Sequence, residues 1–267
     1  MYLFIAIVYM NKKAGLLIFY LICWFAAQSQ TLDSSGRIGY FSSSVGITND
    51  GISIIPTFTF GKPAIILNMS VGSKKVNIEP EVRMGLNGVP WGAVVWGRYK
   101  VIGEGRMNLN VGVNGALNFA TGSFSDDQQK AIFEAQRYVG LEISPNYWLT
   151  KNTSVGLYYL HGHGFESDAP RNVDFLTVNA NFSNIRLTRQ YFLQFLPQLY
   201  YLKQDNEDGF YFTSTLAFVR KNFPLSIQST INETIKSNIS GNQTFSWNIT
   251  LIWSVNKVYA EIKQSPF

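Results

Sequence analysis

The stretch Lys75–Leu86, KVNIEPEVRMGL, decides how the rest of the chain is read. Val76, Ile78, Pro80, Val82, Met84 and Leu86 form an unbroken apolar file at every second position, the period of an extended strand with one apolar face. Between them stand Asn77, Glu79, Glu81, Arg83 and Gly85. One face is oily and the other carries three charges, so the two faces need two different environments.

The same alternation recurs along the chain in segments of about ten residues separated by turn chemistry. Ile52, Ile54, Pro56, Phe58 and Phe60 alternate with Ser53, Ile55, Thr57 and Thr59, and GKP follows. Ile65 to Val71 and Ala93 to Val101 repeat the pattern. In MNLNVGVNGALNF, Met107, Leu109, Val111 and Val113 oppose Asn108, Asn110, Gly112 and Asn114. In TFSWNITLIWS, Phe245, Trp247, Ile249, Leu251 and Trp253 oppose Ser246, Asn248, Thr250 and Ser254. Segments around Val139–Tyr147, Leu176–Phe182 and Leu225–Ile235 alternate too, while Ser154–His163 and Tyr191–Lys203 do so less cleanly.

A soluble β-sandwich would turn these apolar faces against each other, whereas a membrane barrel turns them to lipid and keeps the polar faces around a wet interior. Strands of about 10 to 12 residues match the span needed to cross a bilayer. The polar faces are mainly Asn, Ser, Thr and Gln. Trp91, Tyr99, Tyr147, Trp148, Tyr158, Tyr159, Tyr200, Tyr201, Trp247 and Trp253 stand near strand ends, where such rings form interfacial girdles. Four prolines on apolar faces, Pro56, Pro80, Pro145 and Pro197, oppose this choice because each removes a ladder donor, and they are read as bulge sites. Connections towards the C-terminus alternate between long (Ala120–Gln136, Gly164–Arg171, Lys203–Gly209, Ser237–Gln243) and short (Thr150–Asn152, Ile185–Arg189, Lys221–Pro224), as external loops and periplasmic turns do. Thirteen segments are counted where an even number is needed. Either Arg37–Ile47 is not an independent span, which leaves twelve, or the tail Val258–Phe267 adds a fourteenth. Twelve is the expected number, in an all-β, closed antiparallel transmembrane barrel.

The N-terminal stretch has the form of an export signal: Asn11, Lys12 and Lys13, then the apolar run Ala14–Ala27, then the small residues Ala27 and Ser29 around a cleavage point after Ser29. Met10 is the more natural start, and a retained membrane anchor is the competing assignment. Residues 1–29 would then leave a single domain over 30–267. Loss of Lys12 and Lys13 lowers the formal charge from +5 to +3, too mild for nucleic acid. The only cysteine, Cys23, leaves as well, which excludes a disulfide scaffold and a cysteine metal site. Ile22 stands where a lipid-attachment signal needs a small residue. No cofactor is indicated.

With these features the sequence resembles the outer-membrane β-barrel proteins of Gram-negative bacteria, porin-like in the broad sense, over nearly all of the mature chain. FSWNITLIWSV is similar to the closing strand by which such barrels are recognised for assembly, although the charged tail NKVYAEIKQSPF departs from it. The resemblance implies an outer-membrane location, contact with outer-membrane lipids and with barrel-assembly machinery during insertion, and small solutes as the partners of a passive pore.

If Val76–Leu86 faces lipid, Glu79, Glu81 and Arg83 point into the lumen, and Arg98, Lys100 and Glu142 share that phase. Charges on neighbouring strands would pair across the wall, either as a solute-selecting constriction or as a network that stiffens a narrow barrel. His161 and His163 are the only histidines and share one strand face. With Glu166 or Asp168 they give too few ligands for a metal site. With Ser167 they give the enzymatic alternative of a lipid-modifying hydrolase, for which the required His-x-Ser spacing is missing. A structural or adhesive barrel with a sealed lumen is the other alternative. Ser123–Arg137 is the one plausible helix, capped by Ser125 or Asp126, in an external loop or a lumen plug.

Overall fold

The computed structural model describes residues 38–121, 133–241 and 243–260. Twelve strands follow one another: β1 (Ile38–Thr48), β2 (Ala64–Gly72), β3 (Val76–Gly85), β4 (Pro90–Ile102), β5 (Met107–Thr121) and β6 (Phe133–Trp148). β7 (Thr153–Gly164), β8 (Asn172–Arg186), β9 (Tyr191–Gln204), β10 (Glu207–Arg220), β11 (Leu225–Ser237) and β12 (Phe245–Ala260) complete the set. Each strand lies beside its sequence neighbours, and β1 meets β12 to close the barrel. Closure removes the sheet edges, so no row of backbone donors faces hydrocarbon unpaired.

Burial is inverted relative to a water-soluble domain. Leu251 is 49% exposed on the outside while Asn248 and Thr250 on the same strand are each 5% exposed on the inside. Val82, Val95, Val113, Leu141, Val178 and Ile227 are exposed likewise, and Asn114, Ser154, Thr177, Thr213 and Asn232 are buried. Exposed aliphatic side chains all round the barrel are at home in lipid, not in water.

Twelve strands are as expected, but two assignments change places. The segment expected at Arg37–Ile47 supplies a genuine span over its described residues: β1 pairs with β2 from Tyr40↔Gly72 to Thr48↔Ala64. The alternating segment Ile52–Phe60 is not a strand. It belongs to the long connection 49–63, with a 3-10 turn at Pro56–Phe58, where proline occupies a helical first position that needs no N–H donor.

The remaining three prolines do not mark bulges either. Between β2 and β3 the ladder runs to Asn68↔Glu81 and resumes in the same register at Val71↔Ile78, omitting Pro80. Between β6 and β7 it breaks from Ile143↔Tyr159 to Asn146↔Gly156, around Pro145. Between β8 and β9 it breaks from Asn179↔Gln198 to Phe182↔Phe195, around Pro197. Each proline therefore weakens the ladder to one neighbour while keeping register, and its other flank stays paired: Pro80↔Val95, Pro145↔Leu109 and Ser214↔Pro197. The register shifts lie elsewhere, one at Arg83/Met84 against Gly92 and Pro90. Trp91 is the extra residue there.

At one end the connections are 73–75, 103–106, 149–152, 187–190 and 221–224; at the other are 49–63, 86–89, 165–171, 205–206 and 238–244. The first set is the short periplasmic one and the second is external by the rule of this class. Lys203–Gly209, expected as a long loop, is a two-residue turn at Asp205–Asn206, with Asp205 at φ 52°. The expected helix Ser123–Arg137 lies largely outside the described residues, and its last residues, Phe133–Arg137, are strand β6.

Because lipid wets the outer face, Leu251→Arg is expected to lower unfolding stability by roughly 2–4 kcal/mol. Thr250→Ser, on the inner face, removes one buried methyl and should cost only about 1 kcal/mol. Urea unfolding from lipid vesicles checks both.

Candidate lumen constriction

Glu142 on β6 and Arg98 on β4 both face inward, with β5 between them. The residue that intervenes is Gly112, opposite Arg98 on one side and Glu142 on the other. A Cβ at Gly112 would stand 2.6 Å from Glu142 Oε1, so only glycine lets the carboxylate lie across β5. Arg98 Nε then donates to Glu142 Oε1 at 2.6 Å, and Arg98 NH2 donates to Oε2 at 3.2 Å. Arg98 NH1 donates to Glu79 on β3, and Tyr158 on β7 donates its hydroxyl to Glu142 Oε2 at 2.8 Å. The side chain of Glu142 is 1% exposed. A carboxylate so enclosed is tolerable because its oxygens are bonded to a guanidinium and a phenol. The Arg98 guanidinium also lies over the Trp96 ring, 4.5 Å from its centroid.

A second pair, Arg83 and Glu81, stands on β3, joined through Arg83 Nε. Residues two apart on a strand share a face, so this pair follows from local geometry. Arg83 lies over Trp91, 5.0 Å from the ring centroid. Five of the six charged residues expected to point inward thus form the two ion-paired groups. Lys100 does not join them. Its stem lies against Gly103 at the periplasmic turn, and among the described residues no carboxylate stands within ion-pair distance of it.

The outer mouth is occupied by the connection 49–63, folded inward. Ile55 packs on a buried cluster of Val173, Phe175, Tyr200, Leu202, Tyr211 and Ile239. The Phe58 ring sits 5.2 Å from that of Tyr138, Trp91 Nε1 donates to Phe58 O at 2.7 Å, and Gln204 Nε2 donates to Thr57 Oγ1 at 2.9 Å. Gly51 is squeezed between Trp91 and Phe60, where a Cβ would come within 2.9 Å of the indole. Trp91, Tyr158 and Tyr200, expected in the interfacial girdles, therefore serve the lumen, whereas Tyr99, Tyr147, Tyr159, Trp247 and Trp253 do stand exposed on the outer surface. Asp50 is the incompletely satisfied member of the connection. Its Oδ1 is buried without a hydrogen bond, and burial holds the carboxyl above the usual carboxylate range.

The space inside is divided. A cavity of about 730 Å³ lies at the outer mouth, bounded below by Thr57–Phe60 and Trp91. Beneath it a cavity of about 560 Å³ runs from Ile54, Ile55 and Phe58 down to Arg83 and Arg98. A third of about 400 Å³ shares Arg83 and Ser53 with it, and a fourth of about 560 Å³ continues past Glu79, Glu81 and Arg98 to Ser254 and Asn256 on β12.

The histidines are on the other surface. His161 Nδ1 lies 2.8 Å from Asp174 Oδ1, which also accepts the Tyr159 hydroxyl at 2.7 Å, all at exposed positions of β7 and β8. Among the described residues no serine or threonine hydroxyl bonds either histidine, and no metal-binding cluster of His, Cys, Asp and Glu occurs. Ser167 lines the outer mouth instead.

No protein-family model matches the sequence, and no curated protein matches it. Solved structures do. A KdgM porin is similar at TM-score 0.52 and 12% identity, over 79% of this chain and 98% of that one. The KdgM porin in complex with disordered oligogalacturonate gives 0.50 and 10%, over 80% and 98%. The NanC porin gives 0.50 and 12%, over 81% and 99%. At such identities the likeness is one of fold. What this chain shares with them is the closed antiparallel barrel.

Arg98→Met strands the buried Glu142 and is expected to cost about 3 kcal/mol, while Arg98→Met with Glu142→Gln recovers most of it. A double-mutant cycle on urea unfolding measures the coupling. Asp50→Asn removes the unpartnered charge. An acid whose folded-state value is raised makes the wild type more stable as pH falls, so the advantage of the variant should be largest at neutral pH and shrink on acidification. The same unfolding measurement at two pH values checks the sign.

Proposed function

We propose that the protein is a passive outer-membrane pore for small solutes, with a narrowed lumen whose charges are nearly compensated. The observation that carries this is the succession of cavities along the polar inner wall, bordered midway by Arg83–Glu81 and by Arg98 between Glu79 and Glu142. Three carboxylates face two guanidiniums there. Such a ring lowers the barrier for cations slightly and rejects neither sign strongly. The pairing also stiffens the β3–β6 wall, so the structural and selective roles fall to the same residues.

A sealed barrel is the second reading, and the inward fold of 49–63 supports it, since that connection bounds the outermost cavity. An enzymatic role gains no support from the partners of His161 and His163.

Planar-bilayer recording separates the two. The pore is expected to conduct with a weak preference for K⁺ over Cl⁻, Arg83→Gln to shift the reversal potential further toward K⁺, and the Glu79→Gln, Glu81→Gln pair to shift it toward Cl⁻. A folded, inserted barrel that carries no current would sink the pore. If trimming residues 52–59 then restored current, the sealed alternative would stand.

A further inference from the structure

The inner wall is not uniformly polar. On β8, residues facing inward are Asn179 and Thr177 in the middle but Phe175 and Val173 nearer the outside, the last two 4% and 3% exposed. Leu160 and Tyr158 on β7 and Ile55 from the inward connection pack against them. Facing this apolar side across the 560 Å³ cavity are Trp96, Arg98 and Arg83. That volume falls within the usual range for small-molecule sites, which are mainly apolar with a few placed polar groups.

The two arginines differ in what they can still bind. Arg98 uses Nε, NH1 and NH2 on Glu142 and Glu79. Arg83 uses only Nε, on Glu81, and its two terminal nitrogens carry no hydrogen bond among the described residues. The Trp91 indole lies against its face. A planar guanidinium with two free terminal nitrogens offers N–H donors at two points to a carboxylate, which accepts them.

We propose that this mid-lumen cavity binds an aromatic or otherwise flat apolar carboxylate, with the ring against the Phe175 side and the carboxylate on the terminal nitrogens of Arg83. The proposal rests on the lumen being solute-accessible, and so names the substrate class of the proposed pore. An acidic sugar fits less well. Asn114, Asn146, Asn179 and Gln198 line the rest of the cavity, but hydroxyls turned to Val173, Phe175, Leu160 and Ile55 would meet no side-chain hydrogen bond, and leaving them unpaired away from water is unfavourable.

Equilibrium binding to the folded barrel in nanodiscs, with empty nanodiscs as the blank, tests the site without needing current. The probes are 2-naphthoate, the uncharged 2-naphthalenemethanol and glucuronate. Naphthoate should bind at least about tenfold more tightly than either of the others, a difference of one decade in Kd. Arg83→Gln should reduce naphthoate to the level of the alcohol, and Arg83→Lys should recover only part of the loss. Equal binding of naphthoate and glucuronate, or a folded Arg83→Gln barrel that binds naphthoate as the wild type does, overturns the proposal. The three-probe comparison on the wild type decides it even if the variants fail to fold. A barrel that binds naphthoate but passes no current loses the pore and keeps the site. One that conducts without discriminating the probes loses the site and keeps the pore.

Discussion

The structure depends on the difference between the solvents on its two sides. Hydrocarbon outside offers no hydrogen bonds, so the backbone must satisfy itself, and a sheet can do that only by closing. Once closed, every strand has one face in lipid and one in a confined polar interior, and the two-residue period of the backbone turns this into the sequence pattern of Val76–Leu86. Exposed Val82 and Met84 beside inward Glu81 and Arg83 are the direct consequence.

The prolines show how much departure from this constraint a barrel tolerates. Pro80, Pro145 and Pro197 each interrupt one ladder and leave the other flank paired, and register is recovered within a few residues. Long strands make that tolerable, because the surrounding ladder holds the neighbours in place. The bulge at Trp91 acts differently. By adding one residue it moves an indole from the outer phase to the lumen, where it contacts Phe60 and Arg83 and donates to the inward connection.

Inside, space and charge are set together. Absence of a side chain at Gly112 admits Glu142 to Arg98, and the same carboxylate then accepts from Tyr158. Four strands, β3, β4, β6 and β7, are tied along one side of the inner wall by one arginine and its partners. The wall beyond them changes to Phe175, Val173 and Leu202, so the interior has a charged side and an apolar side.

Alternation along the chain was enough to determine the barrel and the inward phase of Glu79, Glu81, Arg83, Arg98 and Glu142, because side-chain direction in a strand follows from position parity. The count of twelve came out right only because one false span and one missed span offset each other. Parity could not tell Ile52–Phe60 from a strand, since an inward loop packed between a lumen wall and water alternates as well. It could not show the inward apolar patch, for Tyr191–Lys203 is apolar on both faces and hides its phase. Which charges meet was decided only by register between strands: Arg98 finds Glu142 because Gly112 lies between them, while Lys100, of the same parity and register, stands opposite Asn110, just before the bulge that leads into the turn. Parity is a property of one strand, and a lumen is built from the offsets between twelve.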